Sequence, residues 1–180
     1  MKKNKETAIF GGGCFWCTEA IFSELRGVLS VIPGYSGGYE DSPTYESVCA
    51  GNTGHAEVVK VEFNPAVISY RNLLEVFFAL HDPTTKNRQG NDVGIQYRSV
   101  IFYMNGIQEE EAKKYLSLLE SNKASSRSIV TELEPFKVFF PAKEYHKNYY
   151  KTHANEPYCA AVISPKLEKL RKMFAHDVKS

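Results

Sequence analysis

The chain is 180 residues long and 43% hydrophobic, enough to enclose one full core but cramped for two independent ones. Its 22 basic and 21 acidic side chains leave a formal net charge of +1, which argues against nucleic acid or an anionic membrane as a field-driven partner. Apolar runs stay far below a bilayer span, and residues 1–7 lack the apolar stretch of a secretory signal, so a cytoplasmic protein is expected.

Thr7–Phe10 reads as a short strand entering Gly11–Gly13. Cys14, Cys17, Thr18, Ile21, Phe22 and Leu25 then recur at helical spacing, and Gly27 supplies a stop. A strand over Val28–Pro33 and a Gly/Tyr/Ser loop from Gly34 to Thr44 follow. Val59, Val61 and Phe63 alternate with Lys60 and Glu62, the pattern of a half-buried strand. Ser69 is placed to cap a helix whose Tyr70, Leu73, Leu74, Phe77 and Phe78 share one face. After a long polar loop from Asp82 to Gln96, Tyr97–Tyr103 reads as a strand buried on both faces.

The next helix is expected to open at Glu109–Glu111, with Lys113 and Lys114 four residues beyond acids. Ser121–Ser128 is a polar connection and Ile129–Glu134 a further strand. Ala142–His153 is expected to be helical, and Pro165–Val178 to form a final basic amphipathic helix. This order predicts an α/β (α+β) fold in one domain over residues 1–180. An open mixed sheet with a split βαβ, ferredoxin-like core would carry packed helices and a C-terminal extension.

Four cysteines, Cys14, Cys17, Cys49 and Cys159, are too few and too scattered for a disulfide-stapled secreted domain. Cys14 stands where a strand turns through glycines into a helix. Unpaired amides at a helix start stabilise a thiolate, and such cysteines commonly fall to roughly pKa 3.5–7.5 from about 8.5. Cys14 is therefore the candidate nucleophile, whereas Cys49 reads as a small inert hydrophobe. Cys17 shares a helix face with Cys14, which admits a disulfide, a dithiol exchange site or, less readily, half of a zinc site.

Gly13-Cys-Phe-Trp16, Gly34-Tyr-Ser-Gly-Gly-Tyr39 leading to Pro43-Thr-Tyr45, Gly54-His-Ala-Glu57, Gly90-Asn-Asp-Val-Gly-Ile-Gln-Tyr-Arg98 and Glu144-Tyr-His146 occur in this order. Together they resemble the A-type peptide methionine sulfoxide reductases over about residues 8–174. The resemblance implies reduction of the S-epimer of methionine sulfoxide, free and in oxidised proteins. It matches Glu57 to the acid, Tyr45 and Tyr97 to the phenols that bind the sulfoxide oxygen, and Asp92 to a residue that organises waters or the thiol. A glutamate at its ordinary value of about 4.3 is a poor donor at neutral pH, so Glu57 is expected to be buried and protonated.

Phe15 and Trp16 are the expected wall for the substrate's S-methyl group. The sulfenic acid left on Cys14 would be resolved by Cys159 or Cys17, with the tail position of Cys159 favouring it slightly. No cofactor and no metal are expected; by the same resemblance thioredoxin, or dithiothreitol in its place, supplies the electrons to a monomer. A general dithiol exchange protein using Cys14 and Cys17, and a zinc-binding module, are the rival readings.

Overall fold

The computed structural model describes residues 4–122 and 127–180. In chain order the elements are β1 (Glu6–Gly12), α1 (Phe15–Ser23), β2 (Val28–Ser36), α2 (Tyr45–Cys49), β3 (Ala56–Phe63), α3 (Tyr70–Leu80), β4 (Arg88–Gln89), β5 (Asp92–Val93), β6 (Ser99–Tyr103), α4 (Gly106–Ser121), β7 (Glu132–Pro135), β8 (Phe140–Pro141), α5 (Tyr149–His153) and α6 (Ser164–Met173). Six strands form one sheet in the order β7-β6-β1-β3-β2-β8. Its inner four, β6-β1-β3-β2, are antiparallel neighbours, the arrangement expected of a split βαβ core. β7 adds a parallel strand beside β6, so the sheet is mixed, as the element order predicted.

Alternation along the strands divides the apolar side chains between two faces. Ala8, Phe10, Val59, Val61 and Phe63 join the large core under the helices, where the Phe10 ring lies 5.2 Å from Phe22 and 5.0 Å from Phe77. Ile9, Ala56, Val58, Val100 and Phe102 form a smaller cluster on the opposite face, covered by Phe136 and Phe139. Ser69 caps α3 reciprocally with Asn72, and Lys113 and Lys114 pair with Glu109 and Glu110 on α4. Among the described residues, no helix is long and apolar enough to cross a membrane.

Several boundaries differ from the sequence expectation, each for a tertiary reason. β2 continues through Gly34–Ser36 because these residues pair with Ala56–Val58, and β8 packs so closely on Gly34 that a side chain there would meet the Phe140 carbonyl. α4 begins at Gly106, capped by Asn105. The strand after it starts only at Glu132, since the Val130 amide is taken by the Pro83 carbonyl. The polar loop folds part of itself into the β4–β5 hairpin and ends in a 3-10 turn at Ile95–Tyr97, so β6 starts at Ser99. The connection expected over 121–128 lies in part outside the described residues.

The helix expected over Ala142–His153 is broken. A 3-10 turn covers Glu144–His146, and Asn148 adopts a left-handed φ of 53° before α5 begins. The final helix starts where expected, at Ser164, but stops early at Met173, and a π-helical turn, Cys159–Ile163, leads into it. The tail then runs beside the end of α1, where Lys179 donates its amide to the Glu24 carbonyl at 2.7 Å and Val178 bridges Leu25.

Candidate active site

β1 delivers the chain from the middle of the sheet into Gly13, whose φ of 97° suits only glycine. Cys14 then becomes the N-cap of α1, and its carbonyl accepts the Cys17 amide at 3.1 Å. Cys14 is 9% exposed, and with Cys17, Asp92, Tyr158 and Lys166 it lines a cavity of about 370 Å³. All four cysteines are free thiols.

Glu57 enters from β3, directly across from Tyr35 of β2, and is 1% exposed. Its Oε2 accepts the Phe15 amide at 3.0 Å, so the carboxyl sits against the first amide of α1. Burial pushes the Glu57 carboxyl up to about 8; the Phe15 bond pulls it back, while the charges of Asp92 and Cys17 raise it further. This burial favours the protonated form of the carboxyl.

The surroundings of Cys14 work against the thiolate expected there. Burial holds the Cys14 thiol well above its ordinary value, reinforced by the hydrogen bond it donates to Cys17 and by the charge of Glu57. The first amide of α1 goes to the acid, and the Trp16 amide that reaches the sulfur offsets only part of the burial. Cys17 is instead lowered to about 7: the bond from Cys14 dominates, burial opposes it, and Lys166 and the Tyr158 hydroxyl add to it. Tyr158 stands 3.7 Å from the Cys17 sulfur and donates to Asp92 Oδ2 at 2.7 Å. Asp92 thus reaches the thiol pair through Tyr158 rather than directly.

Tyr45 opens α2, whose start is held by the reciprocal Thr44–Ser47 cap. Tyr97 ends the 3-10 turn before β6, and the buried Arg98 beside it donates to the Ile95 carbonyl and pairs with Glu132. Both phenols are pushed up, first by burial, with Glu57 among the further causes, so they keep their protons and can donate. The Tyr45 hydroxyl also hydrogen-bonds the Cys49 thiol, which ties that exposed cysteine to the site's edge.

Trp16 is half-buried, and its ring lies 3.8 Å from Tyr149 at an interplanar angle of 6°. Its indole N–H donates to His146 Nδ1 at 3.1 Å. Phe15 is buried at 1% exposed, with Tyr35, His146 and Tyr45 rings at 5.7, 5.2 and 6.4 Å. The accessible part of the expected wall is therefore Trp16, with Phe15 as its backing. His146, Tyr149 and Tyr158 complete the site: the Glu144-Tyr-His146 motif marked the first without revealing its role, Tyr149 was expected only as part of a helix, and Tyr158 lay outside every expected element.

Cys159 is fully buried in the π-helical turn, its thiol raised by burial and by the charges of Glu156 and Cys17. The structure thus brings Cys14, Cys17, Glu57, Tyr45, Tyr97 and Asp92 together, and sets Cys159 beside Cys17. Among the described residues, no group of three or more His, Cys, Asp or Glu side chains could hold a metal ion.

The family profile described as peptide methionine sulfoxide reductase matches residues 6–178. The peptide methionine sulfoxide reductase MsrA of Saccharolobus solfataricus is 54% identical over 174 residues, covering 97% of each chain. That of Sulfolobus acidocaldarius is 55% identical over 169 residues, covering 94% of this chain and 95% of the relative. Reduced Mxr1 from Saccharomyces cerevisiae superposes with a TM-score of 0.79 at 35% identity, covering 88% of this chain and 91% of that one. Buried acid, paired thiols and phenols agree with these likenesses: the chain belongs to the peptide methionine sulfoxide reductases, of the A type.

Proposed function

We propose that this reductase works on the S-epimer of methionine sulfoxide, free or in proteins, as one catalytic domain with Cys14 as nucleophile and Glu57 as acid. The observation that carries the reading is the Glu57 carboxyl, held near 8 against the amide that follows Cys14. Cys14 attacks the sulfoxide sulfur; Glu57 gives its proton to the oxygen and recovers one from the Cys14 thiol. The oxygen takes a second proton by the same route and leaves as water as the S–O bond breaks. That water attacks the Cys14 sulfur, the transient Cys14–methionine S–S bond breaks, methionine leaves reduced, and Glu57 takes back the proton beside a Cys14 sulfenic acid. Tyr45 and Tyr97 donate to the oxygen, and Trp16, backed by Phe15, receives the methyl group, which sets the epimer. Asp92 holds Tyr158 against the thiol pair.

Cys17 is the better placed resolving thiol. Its hydrogen bond with Cys14 and its lowered value favour attack on the sulfenic acid, releasing water and leaving a Cys14–Cys17 disulfide. The position of Cys159 in the sequence favoured it, but its thiol is raised by burial and by the charges of Glu156 and Cys17, where that of Cys17 is lowered. Thioredoxin, or dithiothreitol in its place, reduces that disulfide with no bound cofactor; Mxr1 of Saccharomyces cerevisiae has been solved in complex with Trx2. A cytoplasmic setting keeps four free thiols reduced, and a monomer supplies every residue named.

The test is reduction of resolved methionine sulfoxide epimers with dithiothreitol, comparing the wild type with Cys14→Ser. Loss of S-epimer turnover in the variant supports the reading. Retained turnover in Cys14→Ser sinks the role of Cys14, and equal use of both epimers sinks the epimer assignment in favour of a general dithiol exchange site.

A further inference from the structure

Glu19 is a buried carboxylate that the reaction steps do not use. It lies on α1 three residues after Trp16, hence on the same helix face, and is 3% exposed. Its Oε1 accepts the Asn148 amide at 2.8 Å, and the Tyr149 amide donates to it as well. These two amides sit at the left-handed turn of Asn148 that sets the direction of α5. From that turn the Tyr149 ring extends flat onto Trp16, and His153 stacks on it in turn at 4.0 Å.

We propose that Glu19 is a positioning residue: its carboxylate clamps the Asn148–Tyr149 turn and so fixes the Tyr149 ring against Trp16. Burying a carboxylate is costly unless it is fully paired. Burial pushes Glu19 up to about 7, and the two amides, Lys151 and Lys147 offset only part of that. An apolar side chain would fill the same space without this cost; what it would lack is a grip on the turn. One helix therefore carries both the indole and the group that holds the indole's stacking partner.

The inference rests on Trp16 forming the methyl-binding wall, so Trp16→Leu is measured beside Glu19→Ala and Glu19→Gln. Trp16 is the only tryptophan in the chain, and its fluorescence reports the contact without reference to activity. Glu19→Ala is expected to shift that emission, to raise acrylamide quenching, and to raise KM for the S-sulfoxide about tenfold with kcat changed less than about twofold. Glu19→Gln, which keeps an acceptor oxygen, is expected to restore the emission and most of the KM. Unchanged emission and KM in Glu19→Ala overturn the proposal, as does a loss that Glu19→Gln does not relieve.

Should Glu19→Ala not fold, Glu19→Asp, one methylene shorter, carries the same comparison. Displaced emission with raised KM supports the clamp, and wild-type values for both overturn it. If Trp16→Leu leaves KM unchanged, the wall reading fails by itself, and the emission of the Glu19 variants alone decides the clamp.

Discussion

The Phe15 amide donates to Glu57 Oε2 at 3.0 Å across 42 residues of sequence. That bond turns the start of α1 into a seat for the acid. The thiol beside it is held up chiefly by its own burial, with the Cys17 bond and Glu57 adding to that and the Trp16 amide opposing it.

Glu57→Gln keeps an oxygen for the Phe15 amide, so the helix start should persist while the proton donor is lost. The single-turnover rate of sulfoxide reduction should fall by about 10²–10⁴-fold, the usual contribution of a general acid. Rapid-quench measurement of methionine formation checks this, and an unchanged rate removes Glu57 from the mechanism.

The pH profile should carry the mark of the same group. With Glu57 near 8, kcat/KM should decline as pH rises through that value, and the decline should be absent in Glu57→Gln. Stability is linked in the same direction. The folded value lies above the unfolded one of about 4.3, so the stabilising contribution is complete below the unfolded value and is lost as pH rises through 8. Each pH unit across that window is worth at most about 1.4 kcal/mol. Urea titrations should therefore show Glu57→Gln gaining on the wild type between pH 5 and about 8.

After one equivalent of substrate, mass spectrometry should find the Cys14–Cys17 disulfide. Cys159→Ser should leave its formation intact, whereas Cys17→Ser should let the sulfenic acid persist long enough to be trapped by dimedone. A Cys14–Cys159 product in the wild type would return the resolving role to Cys159.

Arg98 anchors the turn that carries Tyr97 through the Ile95 carbonyl at 3.0 Å and Glu132 at 3.1 Å. Arg98→Ala removes a buried charge-assisted pair of bonds and should cost about 1–3 kcal/mol. It should also raise KM by freeing Tyr97, a loss that Arg98→Lys relieves only in part. Denaturation midpoints and steady-state kinetics on the two variants check both effects.

The central elements were legible because their periodicity reports burial directly. Phe10, Val59–Phe63 and the Leu73–Phe78 face alternate as the sheet and helix demand, and Ser69 marks its own cap. β8, α5 and the π-helical turn were not legible because their length is too short for a period, and partners remote in the chain set them: Gly34, Glu19 and Tyr150 with Ser164. Cys14, Glu57, Tyr45 and Tyr97 could be read from motifs. The acidity of the two thiols could not, since it is set by their burial and by which of them donates to the other, with Glu57, Lys166 and Tyr158, all remote in sequence, adding to it.

The outermost strands of the sheet are short, and each ends on a proline, Pro135 in β7 and Pro141 in β8. A proline offers no N–H to an incoming strand, and two glutamates, Glu132 and Glu134, add charge along β7. A repair enzyme meets damaged chains in extended, partly unfolded form, the form most apt to add itself to an open sheet edge. Blunted edges discourage such a client from adding itself as a further strand, so that release after repair does not require unzipping one.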